Sequence, residues 1–509
     1  MSGMPTRHQR LPASGPEREV LRQKGQFWTP AWVAEAMVTY ALSAGADHIF
    51  DPAVGAGAFL VAAKSVATRQ NRRINLLGTE LDSAVLNQAL AAGLSQADIA
   101  GIEIRDFVLN SPLRHYSAIV ANPPYIRHHR LDEETKQSLK QLSKSLLGKA
   151  LDGRAGYHVY FLIRALERLE PGGHLSFILP ADTCEGIFAN ALWKWVMDSY
   201  RLDAVVTFAD SATPFPGVDT NAVVFMISAS PPDNLFTWCR CLEPMGVGFR
   251  EWVERGCPPE PTAQLHCVRR EISEAFRTGL SRAPQEEHHG PLLGDFCKTL
   301  RGIASGANEF FFLTSQQIME LGLPLEYFIR AVGRTRDIDG KELALDRLEE
   351  LDREGRPTYL LSLDDKPTEQ LPASLQSYLE RGRELNLHAR SLIAQRKPWY
   401  KMEKRSVPPF FFAYLGRRDA RFIRNNAEAV PLTGFLCVYP RNGQEEDQIW
   451  RLLNHEDTIT NLARVAKSYG SGAIKVEPRA LERVPLSERA LQYSGLSARY
   501  LDRFAPFLF

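Results

Sequence analysis

This sequence has little that suits a membrane, an oxidising compartment or a phosphate anchor. No apolar run approaches the roughly 20 residues that a bilayer span requires. The opening residues, Met1 to Arg22, are polar and lack the apolar core of a secretion signal. The expected location is therefore the cytoplasm. Cysteine is sparse and odd in number, 7 in 509 residues, which does not describe a disulfide framework. Cys239, Cys241, Cys257 and Cys267 beside His266 are the one grouping with metal-ligand chemistry, but their spacing matches no paired CxxC pattern, so reduced, buried thiols are expected and no metal. Charge of one sign is also missing: 61 Lys and Arg against 60 Asp and Glu give a net charge of +1. No overall basic field marks a nucleic-acid binder.

The composition is that of a folded globular chain, 44% hydrophobic and 24% charged, and its length asks for more than one core. From Thr29 to Ser230 helical and strand patterns alternate. "TPAWVAEAMVTYALSAG" places Val33, Met37 and Ala41 at helical spacing behind Thr29 as N-cap and Pro30 at the first helical position. Short apolar runs follow in "HIFDPAVGAGAFL", "INLLGTELD", "IEIRDFVL", "YSAIVANPPY", "HLSFILPAD", "LDAVVTFAD" and "NAVVFMISA". Apolar runs separated by helices, such as "YHVYFLIRALERLEPGG", predict an α/β fold: a doubly wound, mostly parallel, seven-stranded sheet. Ligands of such sheets sit at the carboxyl ends of the strands.

Those ends carry the unusual residues. Asp51 is followed by Gly55 and Gly57 in a tight turn where a ligand can approach the backbone. Glu80, roughly 20 residues on, is placed to grip the two hydroxyls of a ribose. Asp106 and Phe107 offer an acceptor for an adenine amine and a ring for its face. Three such ends in succession point to an adenosine-containing ligand. The phosphate loop and the full dinucleotide fingerprint are both absent, which favours one without a pyrophosphate, and S-adenosyl-L-methionine fits.

At the fourth strand end stands "NPPY". An exocyclic amine on a planar ring is a poor nucleophile, because its lone pair is delocalised. Two acceptors aimed at its N–H bonds, Asn122 Oδ1 and the carbonyl of Pro123, would draw it towards tetrahedral geometry, with Tyr125 stacked on the base. Proline fixes φ and adds no competing donor.

Together, "WTPAWVAEAMV", "DPAVGAGAFL", "GTELD", "RDF" and "NPPY" resemble, in order and spacing, the TaqI-like, gamma-type N6-adenine DNA methyltransferases of restriction-modification systems. The resemblance implies a class I S-adenosylmethionine-dependent catalytic domain over 25–230, behind a flexible segment 1–24. It implies cofactor contacts at Thr29, Asp51, Ala53, Gly55, Gly57, Glu80, Asp106 and Phe107, and a catalytic tetrad Asn122, Pro123, Pro124 and Tyr125. It also places Phe215, in "ATPFPGVDTNAVVFMI", against the other face of a flipped-out target adenine.

After Ser230 the alternation fades, and 231–290 reads as an irregular connector in which His288 and His289 face solvent. From 291 to 509 an α+β target-recognition domain is expected. "LRGIASGANEFFFLT", "KPWYKMEKR", "RFIRNNAEAVPLTGFLCVYP" and "YGSGAIKVEPRALERVPL" resemble, more loosely, that half of the same enzymes. Its segment 396–424 interleaves Arg396, Lys397, Lys401, Lys404, Arg405, Arg417, Arg418, Arg421 and Arg424 with Trp399, Tyr400, Tyr414 and phenylalanines, a pattern that suits phosphate contact and base packing as well as a charged face over a core strand. Arg301, Asn308, Lys397, Tyr400, Arg424 and Lys475 are the candidate DNA contacts. The expected partner is double-stranded DNA, with any cognate restriction endonuclease on a separate chain, no membrane, and a monomeric enzyme. The alternatives kept open are an N4-cytosine, RNA or protein-glutamine methyltransferase, and a non-catalytic DNA-binding defence component.

Overall fold

The computed structural model describes residues 28–496 apart from 186, 217, 219–220, 285–287, 289, 414–419, 442, 466 and 470–472, and leaves out the side chains of 466–475. The expected segment 1–24, with Tyr414, Arg417, Arg418, His289 and the side chain of Lys475, lies outside the described residues. The chain divides into two compact units, 1–286 and 287–509. Among the described residues no helix is long and apolar enough to cross a membrane.

In the first unit helix α1 (Ala31–Leu42) precedes β1 (His48–Asp51), α2 (Ala58–Arg69), β2 (Asn75–Glu80), β3 (Ile102–Ile104) and β4 (Tyr116–Ala121). Then come α3 (Glu133–Leu147), α4 (Tyr157–Glu167), β5 (Leu169–Pro180), α5 (Ala189–Ser199), β6 (Arg201–Phe208) and β7 (Ala222–Ser228). Each of the seven apolar runs forms its strand, in the order β3-β2-β1-β4-β5-β7-β6. The five strands from β3 to β5 pair in parallel, and β7 runs antiparallel to both β5 and β6. Two apolar cores cover the two faces, one built around Phe50, Phe107 and Phe161, the other around α1 and α2. Central strands buried on both sides read as continuous apolar runs, which is why they were legible.

The expected connector is instead part of this fold. Residues Leu235–Cys241 and Leu265–Glu271 form β8 and β9, and β8 pairs in parallel with β6, so the sheet has nine strands. Within "LFTWCRC" the run from Phe236 to Cys239 is buried throughout, as in a strand covered on both faces. Cys239 and Cys267, opposite one another across β8 and β9, are joined as a disulfide, which corrects the expectation of thiols at these two positions. The five other cysteines are free and buried, and His266, next along β9, is exposed. The grouping does not converge on one point.

The second unit is α+β. Its five-stranded sheet runs in the order Cys297–Arg301, Phe435–Pro440, Phe410–Ala413, Arg421–Asn425, Glu342–Leu343. A four-stranded sheet, a two-stranded sheet and several helices accompany it. The run "PPFFFAYL" supplies the central strand, and Phe410, Phe411, Phe412 and Phe422 are all core residues, so these aromatics support the sheet and stack on no base.

Candidate active site

The carboxyl ends of β1, β2 and β4 open onto a cavity of about 330 Å³. Its wall includes Thr29, Ala53, Gly55, Glu80, Asp106 and Asn122, six of the residues singled out from sequence. Gly55 (φ +50°) and Gly57 (φ +79°) both lie in the left-handed region that glycine favours. A Cβ on Gly57 would also come within 2.9 Å of both Ala89 Cβ and Leu94 Cδ1, so the turn closes tightly on the helix Leu86–Ala91 and the residues after it.

Backbone amides hold the acidic side chains in place. Glu80 Oε2 accepts from Gly55 N–H at 2.8 Å, and its Oε1 accepts from Leu81 and Asp82 N–H at 2.9 and 3.0 Å. Asp106 Oδ1 accepts from Val108 and Leu109 N–H, while Oδ2 accepts from the Tyr157 hydroxyl at 2.7 Å. Asp51 is fully buried behind the turn; its Oδ1 accepts from Ala53 N–H at 3.0 Å and its Oδ2 has no partner. Burial, with a further contribution from the nearby Glu80 carboxylate, pushes the Asp51 carboxyl up to about 8 despite the Ala53 hydrogen bond, which acts the other way.

Thr29 does not cap α1, which begins at Ala31 with Pro30 as its N-cap. Its hydroxyl instead accepts a hydrogen bond from Asn122 Nδ2 at 3.2 Å. The opening Thr-Pro thereby meets the tetrad directly, with the donor half of the Asn122 amide turned to Thr29. Pro124 reaches the cavity wall, and Tyr125 donates from its hydroxyl to the Ile178 carbonyl at 3.2 Å. Burial, then the Asp182 charge, raises the Tyr125 hydroxyl well above its ordinary value, which keeps the ring neutral.

Two aromatic expectations are corrected. Phe107 touches the cavity but is only 1% exposed; its ring packs 5.6 Å from both Phe50 and Phe161 in the core. The open apolar surface there is Leu81, 70% exposed, which sequence reading passed over because it follows Glu80 without any periodic pattern. Phe215 is 4% exposed, lies in the core that covers α1, and is not part of the cavity wall. Trp28, Tyr157 and Phe161 also line the cavity and were missed; the last two lie on α4, whose apolar spacing reads as ordinary core.

Residues 18–230 match the N-6 DNA Methylase family, and residues 275–503 match the C-terminal domain of Type II methyltransferase M.Eco57I. The chain belongs to the N6-adenine DNA methyltransferases of restriction-modification systems. It is 24% identical over 499 residues to Type II methyltransferase M.AccI of Acinetobacter calcoaceticus, spanning 95% of this chain and 88% of that one. It is 24% identical to M.XamI of Xanthomonas campestris pv. amaranthicola, over 90% and 84% of the two chains. Among solved structures, the Type IIL restriction-modification enzyme MmeI in complex with DNA shares the fold over 92% of this methyltransferase and 63% of that chain, with a TM-score of 0.52 and 13% identity.

The candidate DNA contacts in the second unit are scattered. Arg301 ends an edge strand and Asn308 opens a short helix, both exposed, and Lys397 is exposed. Tyr400 is a core residue, 2% exposed, its hydroxyl donating to the Lys366 carbonyl at 2.6 Å, and it cannot stack on a base. Arg424 pairs with Asp447 at 2.5 Å. Much of the basic track is likewise engaged: Lys401 with Asp365 at 2.8 Å, Arg405 with Glu403 at 2.5 Å, and Arg421 Nε with the Gly340 carbonyl at 2.8 Å.

Proposed function

We propose that this enzyme transfers a methyl group from S-adenosylmethionine to the N6 amine of an adenine flipped out of duplex DNA, as the modification enzyme of its system and in the TaqI-like manner. The observation that carries this reading is the Thr29–Asn122 hydrogen bond, which joins the opening Thr-Pro to the "NPPY" strand end in the wall of the cavity that the glycine turn also lines. When bound, the cofactor supplies an electrophilic methyl group on a cationic sulfur.

The residues present fit that cofactor. Asp51 Oδ2, buried and unpartnered, suits the ammonium of its methionine end. Thr29, Ala53, Gly55 and Gly57 shape the surface for that end, Glu80 is positioned for the ribose, and Asp106 with the backbone at Phe107 for the adenine ring. Leu81 covers that ring's face. Asn122 Oδ1 and the Pro123 carbonyl accept from the N6 amine and hold it pyramidal, and no strong base is needed because the leaving sulfur is cationic. The site therefore works by positioning and preorganised polarity. Tyr125 flanks the base on one side.

The direct test is modified-base sequencing of genomic DNA from a methylation-deficient host expressing this chain. N6-methyladenine at one short motif is the expected result. An unmodified genome, with cofactor bound by the purified protein, would overturn the DNA reading.

A further inference from the structure

The catalytic strand end continues into "IRHHR", residues Ile126 to Arg130, which the site described above does not use. Ile126 lines the cavity, and its carbonyl accepts from Tyr157 N–H at 2.9 Å, so the segment is pinned at the start of α4. Beyond it, Arg127, His129 and Arg130 are exposed and His128 is half-buried, in a single helical turn over His128–Arg130. The His128 and His129 rings meet edge to face at 5.5 Å. Lys136 on α3 and Arg154 before α4 lie close enough to act on His128 electrostatically. Their charges are matched by Glu133 at 2.6 Å and Asp152 at 2.7 Å.

A base held against Tyr125, as proposed above, brings its own sugar and phosphates to the surface beside this cavity. Arg127 is two residues further on, about 7 Å of extended chain, which is close to the spacing of successive phosphates along one strand. Cations at that point hold the strand while the base is out of the stack. The basic track of the second unit fits this task less well, since Lys401, Arg405 and Arg424 already have acidic partners and Tyr400 is core.

We propose that Arg127, His128 and His129 form a phosphate clamp on the catalytic unit itself, gripping the DNA backbone beside the flipped nucleotide. The inference rests on the DNA reading above and names the part of the site that holds the strand. A proton linkage follows. Burial first, then the neighbouring His129, Lys136 and Arg154, hold His128 below its ordinary value, while Asp152 opposes them. A phosphate at His128 favours its charged form, so binding takes up a proton.

The test uses the full chain, a fluorescein-labelled duplex for binding, and plasmid from a methylation-deficient host as methyl acceptor. In the combined variant Arg127→Ala, His128→Ala, His129→Ala, measured at pH 6, the slope of log affinity against log salt should drop by about two to three, as each of the three phosphate contacts contributes up to about 0.9. Methyl transfer at low plasmid concentration should fall at least tenfold, with S-adenosylmethionine affinity unchanged. Wild-type affinity should rise between pH 7 and pH 6, and that rise should vanish in His128→Ala. If the combined variant cannot bind cofactor, Arg127→Glu carries the same test, with Arg127→Lys restoring binding. An unaltered salt slope in a wild-type background that methylates plasmid overturns the clamp and leaves the function standing. A wild type that transfers no methyl group to plasmid overturns both.

Discussion

Replacing Asp51 by Asn should make the cofactor-free enzyme more stable and a worse methyltransferase. The carboxyl is fully buried, has one backbone donor, and carries a second oxygen with no partner. In the unfolded chain it titrates near 3.9, whereas in the folded enzyme burial raises it to about 8. Between those values the native state binds the extra proton, so stability falls as pH rises from about 4 to about 8. At pH 7 the difference spans roughly three pH units, or ~4 kcal/mol. Asn cannot ionise, and its Oδ1 keeps the Ala53 hydrogen bond. Allowing for the unpartnered Nδ2, at about 1–2 kcal/mol, the net gain is about 2–3 kcal/mol, or roughly 5 °C in Tm for a unit of this size. Differential scanning calorimetry without cofactor from pH 5 to pH 8 should show the wild type losing Tm with rising pH relative to the variant. Titration calorimetry should show cofactor affinity at least tenfold weaker in the variant. Parallel Tm profiles, or an unchanged affinity, would refute the assignment of a strained carboxyl held for a cationic group.

The other expectations concern separate parts of the fold. Asn122→Ala should abolish methyl transfer to plasmid while leaving the cofactor dissociation constant within a few-fold of wild type; retained turnover in a tritium-transfer assay would refute the amine-holding role. Gly57→Ala adds a side chain at φ +79° and contacts of 2.9 Å with Ala89 and Leu94. The strain alone costs about 1–3 kcal/mol, and calorimetry should show a lower Tm together with weaker cofactor binding. His158 is 5% exposed, lies edge-on to Tyr125 at 5.8 Å, has neither ring nitrogen bonded, and is held below its ordinary value by burial. The unfolded chain takes up that proton first, so stability is lost as pH falls below about 6.5, and His158→Phe should flatten this limb of a urea-melt series from pH 7 to pH 5. Tyr400→Phe should cost about 1 kcal/mol of stability and leave the salt dependence of DNA binding unmoved, since the hydroxyl serves Lys366 inside the fold.

The first unit was legible because its central strands, His48–Asp51 and Tyr116–Ala121 among them, are buried on both faces. "HIFD", "NLLGTE" and "YSAIVA" are runs that only a covered parallel sheet accommodates, and the acids and glycines at their ends fall outside any periodicity. The stretch 231–290 was not legible. "PPDN" and the charged residues around Arg240 and Arg269 mask two strands, the first buried from Phe236 to Cys239 and the second with exposed residues between its buried ones. Phe215 and Tyr400 failed for a different reason. An aromatic residue has the same letter whether it stacks on a base or fills a core, and only burial separates the two. The basic track misled in the same way, because its partners Asp365, Glu403 and Asp447 lie close in space and mostly far in sequence.

The three strand-end carboxylates show why a short list of residues carries so much of the site. Glu80 is clamped by three backbone N–H groups and Asp106 by two together with the Tyr157 hydroxyl, so each builds the turn that presents it. An amide or an alanine at either position removes acceptors from these N–H groups and loosens the cavity wall, whatever it does to a ligand. Asp51 differs from both: one backbone donor, and a second oxygen that no protein group meets. Its geometry contributes little to the turn that Gly55 and Gly57 do not already fix. A carboxyl retained under those conditions is a cost to the empty fold, and it is offset only when a positive charge arrives beside it. On the proposed reading, in which Asp51 meets the cofactor ammonium, binding and stability are coupled through this side chain, and the cofactor should raise the Tm of the wild type more than that of Asp51→Asn at equal fractional saturation.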